Sequence, residues 1–327
     1  MIKSVNQAFK EFEKTIKLTN KDSENAIKSR DWLIENIKKF PKKDDSFPKL
    51  YNEKNLLYGS FARKTKIKPL DDIDLMICIS AEGSKYIEVN PDNIDIKVSD
   101  NVKNLFNLSD ENLLNSRKVI EKFKSNLINI EHYSQAEINR RQEAVTLKLS
   151  SYKWNFDIVP CFFTKPESDG RSYYLIPNGE GKWKKTNPII DRDRINKINQ
   201  NNNGRILDII RIFKSFKFEK NLNMSSYLME VIILDYYENY PYVGPINTEI
   251  NLIFNYLTDM IKYRINDPQN IRVNINNLDS NQRVYDNSIL IDNSRLSYFA
   301  EYYYQKDNPE KAIQYWREIF GIKFSNR

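Results

Sequence analysis

The run Asp71-Asp72-Ile73-Asp74-Leu75-Met76-Ile77-Cys78-Ile79-Ser80 constrains this chain more than any other ten residues. It reads as an apolar strand that opens on carboxylates. Asp72 and Asp74 are two apart, so on a strand their side chains project from one face while Asp71 points away. Strands disfavour Asp, and two acids on one face of an apolar segment repel each other unless a cation sits between them. A second anomaly is Asp157, in the middle of the apolar strand Phe156-Asp157-Ile158-Val159. Three acids converging from neighbouring strands would make a hard-oxygen site for one or two divalent ions. Taken by itself, an Asp-x-Asp tripeptide favours a plainer alternative, in which the acids end strands or pair with Lys and Arg.

Composition narrows the choice of metal. One His and two Cys cannot supply a four-ligand zinc site of sulfur and imidazole, so any metal is held by oxygen, which favours Mg2+ or Mn2+. His132 lies in a polar segment with no nucleophile beside it and is not expected to be a catalytic base. Cys78 and Cys161 sit in apolar surroundings and read as core thiols. A net charge of +7 favours polyanionic partners, and nucleotides satisfy that as well as nucleic acids do. No stretch approaches the roughly 20 apolar residues of a membrane helix. The N-terminus lacks the apolar run of a signal peptide, so a cytoplasmic protein is expected.

Context raises the weight of the acids. Thirteen residues before Asp72 stands Gly59-Ser60. A Gly-Ser pair opening a helix offers backbone N–H groups and a hydroxyl to an anion, and Gly lets a phosphate approach the backbone. A phosphate cradle followed by paired acids suits a metal–nucleotide site.

Elsewhere the pattern predicts a first helix with Val5, Phe9, Phe12 and Ile16 on one face and Ser4 as cap. A second helix is predicted from Ser23, burying Ala26, Trp32, Leu33 and Ile37 and ending at Pro41. This basic helix pair reads first as a solvated face over a core stripe. Residues 81–112 read as irregular and 109–132 as a helix. Strands follow at 144–149, 154–163 and 173–177. The Asn-rich stretch 196–204 reads as a linker, beyond which the chain becomes mainly helical, with helices within 204–220, 225–240 and 250–266 and a final one near 309–320. The order suggests an α+β lobe at 1–195 and a helical lobe at 196–327.

The run Gly59-Ser60-Phe61-Ala62-Arg63-Lys64-Thr65, then Asp72-Ile73-Asp74, then Asp157, resembles the signature of DNA polymerase β-like nucleotidyltransferases. More narrowly it is similar to the bacterial cGAS/DncV-like enzymes (CD-NTases), which make signalling nucleotides in anti-phage defence. Three further segments carry the resemblance: Trp183 with Thr186-Asn187-Pro188, Arg211-Ile212-Phe213-Lys214, and Ser226-Tyr227-Leu228-Met229-Glu230. It covers residues 56–230, and the remaining residues match only in being helical.

The resemblance implies a mixed sheet with flanking helices plus a C-terminal helical lobe, two lobes around a central cleft. It implies that Asp72, Asp74 and Asp157 bind two Mg2+ ions (Mn2+ as a substitute) and carry catalysis. It further implies that Gly59, Ser60, Lys214 and Ser226 hold a donor triphosphate and that Tyr227 stacks on a base. The product would be a cyclic di- or trinucleotide made from nucleoside triphosphates and read by a downstream effector. No membrane partner is expected, a monomer is the default, and a nucleic-acid activator is not indicated. The zinc-bearing insertion of the vertebrate DNA sensor has no ligands here. Alternative readings are an RNA-end nucleotidyltransferase, a linear oligonucleotide synthase activated by double-stranded RNA, and a catalytically silent nucleotide- or RNA-binding module.

Overall fold

The computed structural model describes residues 4–133, 136–149 and 151–324. Its helices in chain order are α1 (Val5–Ile16), α2 (Asn20–Ile37), α3 (Phe40–Lys43), α4 (Gly59–Ala62), α5 (Lys103–Phe106), α6 (Ser116–Ile128), α7 (Pro188–Asn201), α8 (Ile206–Glu219), α9 (Ser226–Asn239), α10 (Ile246–Met260), α11 (Ser280–Gln305) and α12 (Pro309–Phe320). The strands are β1 (Leu56–Tyr58), β2 (Asp72–Cys78), β3 (Lys85–Asn90), β4 (Asn93–Lys97), β5 (Ser109–Asp110), β6 (Leu113–Leu114), β7 (Glu137–Arg141), β8 (Ala144–Lys148), β9 (Asn155–Phe163), β10 (Tyr174–Pro177) and β11 (Trp183–Thr186). None of the described helices is long and apolar enough to cross a membrane.

Two compact units share the chain. The sheet unit comprises Thr19–Arg63 and Leu70–Arg192. Its mixed sheet runs β1-β2-β9-β10-β11-β4-β6-β5, with β3 on β4 and β7-β8 joining at β9. β2 and β9 are parallel, and the other pairs are antiparallel. Ile73, Leu75 and Ile77 of β2 and Phe156 and Ile158 of β9 alternate onto one buried face. On the other face Met76, Cys78, Val159 and Cys161 form an apolar cluster with Leu56 and Tyr174, so both cysteines are core thiols, as read from the sequence.

The helical unit comprises Met1–Leu18, Lys64–Pro69 and Asp193–Arg327. Its division therefore departs from a single boundary after residue 195. The reason is the apolar stripe of α1: Val5, Ala8, Phe9, Phe12 and Ile16 are all buried in one core with α8, α9, α10 and α12. Phe9 meets Trp316 and Phe324 edge-on, at centroid distances of 5.2 and 5.0 Å. Ser4 caps α1 as expected, accepting from the Gln7 N–H at 3.2 Å. The segment 64–69 joins α1 through the Lys68 N–H, which donates to the Ile16 carbonyl at 2.7 Å.

Several local expectations are corrected. α2 begins at Asn20, because Thr19 supplies the cap by accepting from the Asp22 N–H at 3.1 Å. Trp32 is 43% exposed rather than buried, its ring lying edge-on to Tyr133. The helix expected from 109 starts only at Ser116, since Glu111 and Asn112 take positive φ (48° and 69°) and Asn115 caps α6. Residues 81–112 contain β3, β4, α5 and β5. The expected linker 196–204 is helical to Asn201, because Ile195 and Ile198 fall on the buried side of α7.

Candidate active site

The acids of β2 and β9 lie in one register. Asp74 is the partner of Asp157 across the parallel pair, and Asp72 is the partner of Asn155 one step along. Partners on adjacent strands project from the same face, roughly 4.8 Å apart in the backbone. That face is apolar at Met76–Val159 and Cys78–Cys161 and turns acidic at Asp74–Asp157. All three carboxylates are partly exposed. The row continues to both sides: Tyr58 of β1 opposes Asp74, and Thr146 of β8 opposes Asp157. Burial, and next the charge of Asp74, push the Tyr58 hydroxyl well above the usual phenol range, so it stays protonated beside the acids. Thr146 donates to Oδ1 of Asp157 at 2.6 Å.

Gly59 ends β1's turn into α4 with φ +72°, and a Cβ built there would fall 1.7 Å from Oδ2 of Asp74. Two constraints therefore fix glycine at this position: the left-handed backbone and the approach of a carboxylate. The sequence suggested only the approach of a phosphate. Ser60 follows as the second residue of α4.

Among the described residues, no three acidic, histidine or cysteine side chains stand close enough together, as placed, to hold a metal ion. The donor set nevertheless suits a hard divalent cation. Three carboxylates share one sheet face, the cysteines lie deeper in the apolar cluster, and His132 is exposed on a polar turn.

The residues expected to hold the triphosphate from the helical segment all lie in the helical unit. Lys214 of α8 is buried and ion-paired with Glu230 of α9. It donates to the Thr65 hydroxyl at 2.9 Å, and Thr65 in turn donates to Glu230 at 2.9 Å. Arg211, one turn earlier on α8, is also buried, donating to the Lys64 carbonyl and pairing with Asp208. Ser226 opens α9 and Tyr227 follows, partly buried against the helical core. The α9 cap itself is Ser225, which accepts from the Leu228 N–H at 3.0 Å. Trp183 is a core residue, its indole N–H donating to the Leu114 carbonyl at 2.9 Å. The sequence did not single out Thr146 or the partnership of Thr65 with Lys214. A threonine in a strand or a loop gives no signal until its register is known.

Comparison with known proteins bears on the family and the fold. Residues 3–202 match the family model described as the Second Messenger Oligonucleotide or Dinucleotide Synthetase domain. The chain is 42% identical to a probable cyclic nucleotide synthase of Bacillus cereus (strain VD146) over 334 aligned positions, covering 99% of this chain and 98% of that protein. Its fold is similar to E. coli MS115-1 CdnC solved with ATP, with a TM-score of 0.72 at 16% identity and 98% of each chain covered. It is also similar to Vibrio cholerae DncV in its apo form, with a TM-score of 0.72 at 13% identity, covering 99% of this chain and 96% of that one.

Proposed function

The chain belongs to the Second Messenger Oligonucleotide or Dinucleotide Synthetase family, and from that premise we propose that it joins nucleoside triphosphates into a cyclic oligonucleotide, released to an effector in anti-phage defence. The observation that carries the proposal is the row Asp74–Asp157 with Asp72 one step along, closed on one side by Gly59.

In each joining step a ribose hydroxyl attacks the α-phosphorus of a second nucleotide. The new P–O bond replaces the bond to the β-phosphate, and pyrophosphate leaves. Asp72, Asp74 and Asp157 would hold two Mg2+ ions, which supply charge neutralisation at the attacking and leaving oxygens when bound. Asp157 would hold the ion that activates the attacking hydroxyl, whose proton passes to solvent. Gly59 and Ser60 present backbone N–H groups and a hydroxyl to the donor phosphates. Ser226 contributes a second hydroxyl, and Tyr227 stacks on a base, a contact worth about 1–3 kcal/mol and indifferent to base identity. Lys214 enters with its charge already matched by Glu230, so its share in holding the triphosphate is positional as well as electrostatic. The chemistry needs placement and charge neutralisation more than a histidine base, in keeping with the exposed setting of His132.

The test is incubation of the purified protein with all four nucleoside triphosphates and Mg2+, then Mn2+, followed by phosphatase and mass spectrometry. The expected result is a phosphatase-resistant species at the mass of a cyclic oligonucleotide. Asp72→Asn/Asp74→Asn should abolish it while leaving the melting temperature unchanged or raised, because the variant removes neighbouring like charges. Undiminished product from that variant refutes the assignment of the acids. If labelled RNA added to the reaction grows longer instead, the protein is an RNA-end transferase.

A further inference from the structure

Thr146 is 6% exposed in β8, between the fully buried Val145 and Leu147. A hydroxyl placed there costs free energy unless it is bonded. Its bond goes to Oδ1 of Asp157, from the residue directly opposite across the β8–β9 pair, at the 2.6 Å expected of a hydroxyl donating to an ionised carboxylate. Threonine's χ1 is stiff because it is β-branched, and the strand fixes the backbone on which it stands. The donor is therefore rigid, and the carboxylate it meets cannot turn about its own axis without breaking the bond.

We propose that Thr146 is a positioning residue for the acid site: its hydroxyl sets the plane of the Asp157 carboxylate and thereby the affinity of the site for a divalent ion. The inference rests on the reading of Asp157 as an ion-binding carboxylate. Removing a group that hydrogen-bonds and orients a metal-binding side chain typically costs about 10–100-fold in affinity.

An ordinary cross-strand pair would also place a threonine opposite an acid, and the two roles separate cleanly. Thr146→Val keeps the branched shape and strand preference and removes the donor. Thr146→Ser keeps the donor and removes the methyl group. If Thr146 positions Asp157, ion affinity follows the hydroxyl: the Val variant is weak and the Ser variant near wild type. If it only supports the sheet, affinity stays constant and stability follows shape, with the Ser variant melting lower and the Val variant at or above wild type.

The experiment measures Mn2+ binding to the full-length protein by the electron paramagnetic resonance signal of free Mn2+. A non-reactive α,β-imido analogue of ATP is present, and melting temperatures are recorded in parallel. Thr146→Val should raise the Mn2+ dissociation constant about 10–100-fold, and Thr146→Ser should lie within about threefold of wild type. Thr146→Ala, which places no methyl group against the carboxylate, should behave as the Val variant and serves if that variant folds poorly. Mn2+ affinity within a factor of two of wild type in Thr146→Val or Thr146→Ala overturns the proposal. Asp157→Asn in the same assay separates the two levels. If it weakens Mn2+ and the Thr146 variants do not, only the positioning role fails. If it too leaves Mn2+ binding unchanged, the reading of Asp157 fails with it.

Discussion

Gly59 shows how one residue can serve backbone and site together. An alanine there would carry the strain of a left-handed φ, about 1–2 kcal/mol, and its methyl group would also occupy the space of the Asp74 carboxylate. Gly83 provides the control, since it has φ +88° and nothing within 4 Å of a built Cβ. Gly59→Ala and Gly83→Ala should therefore lower the melting temperature by a few degrees each, while only Gly59→Ala displaces Asp74 and cuts turnover by about 100-fold or more. Equal turnover in the two variants would show that the contact with Asp74 has no bearing on the reaction. Residues such as these differ in how plainly the sequence announces them. Asp72, Asp74 and Asp157 were legible because acids in apolar strands break a strong preference. Gly59 was legible as part of a phosphate cradle, though its contact with Asp74 was not. Thr146 was silent, because threonine is at home in any strand and only register reveals what it faces.

Among the elements, α8 and α9 are joined by a buried charge pair rather than by apolar packing alone. Lys214 and Glu230 are both nearly inaccessible, and Thr65 bridges them, which ties the segment 64–69 to both helices. Breaking one side of such a pair leaves an uncompensated buried charge and costs about 3–5 kcal/mol. Lys214→Met should show that loss in urea unfolding. Adding Glu230→Gln, which discharges the partner and keeps an acceptor for Thr65, should recover part of it, with a coupling above about 1 kcal/mol. Strict additivity would mean that the pair does not contribute to stability. The double variant should regain stability without regaining turnover, because the triphosphate contact assigned to Lys214 is still missing. The motif letters of this cluster were visible in the sequence, but their mutual contact was not, since helix periodicity reports which face is buried and not what it meets. The same limit explains α7. Its Asn-rich composition reads as a linker, and only the burial of Ile195 and Ile198 shows that the helix continues. The 26-residue α11 carries no apolar stripe either, because its one buried face sets Asp286, Asn293 and Ser297 among Leu290 and Ala300.

At the scale of the whole chain, the two units are interleaved rather than consecutive, and the sequence concealed this. A change in composition near residue 200 marks where the helical segment begins, but nothing in the first eighteen residues says that they belong with it. Their amphipathic stripe would cover any apolar surface. The structure assigns it to the core of α8, α9, α10 and α12, where Val5, Phe9, Phe12 and Ile16 are each at most 3% exposed. Burying such side chains is worth about 1.5–3 kcal/mol apiece, so these four contribute on the order of 6–12 kcal/mol, comparable with the net stability of a typical domain at about 5–15 kcal/mol. A fragment in which residues 64–69 are joined by a Gly/Ser linker to 193–327, so that Thr65 still bridges Lys214 and Glu230, should therefore lack a cooperative thermal transition and bind a hydrophobic dye, because Trp316, Phe320 and Phe324 lose the rings of Phe9 and Phe12 that cover them. A peptide of residues 1–18 added in trans should restore a transition whose midpoint rises with peptide concentration, as binding linkage requires, and a peptide carrying Phe9→Ser and Phe12→Ser should not. If the fragment melts cooperatively without the peptide, α1 is an ornament on a core already complete.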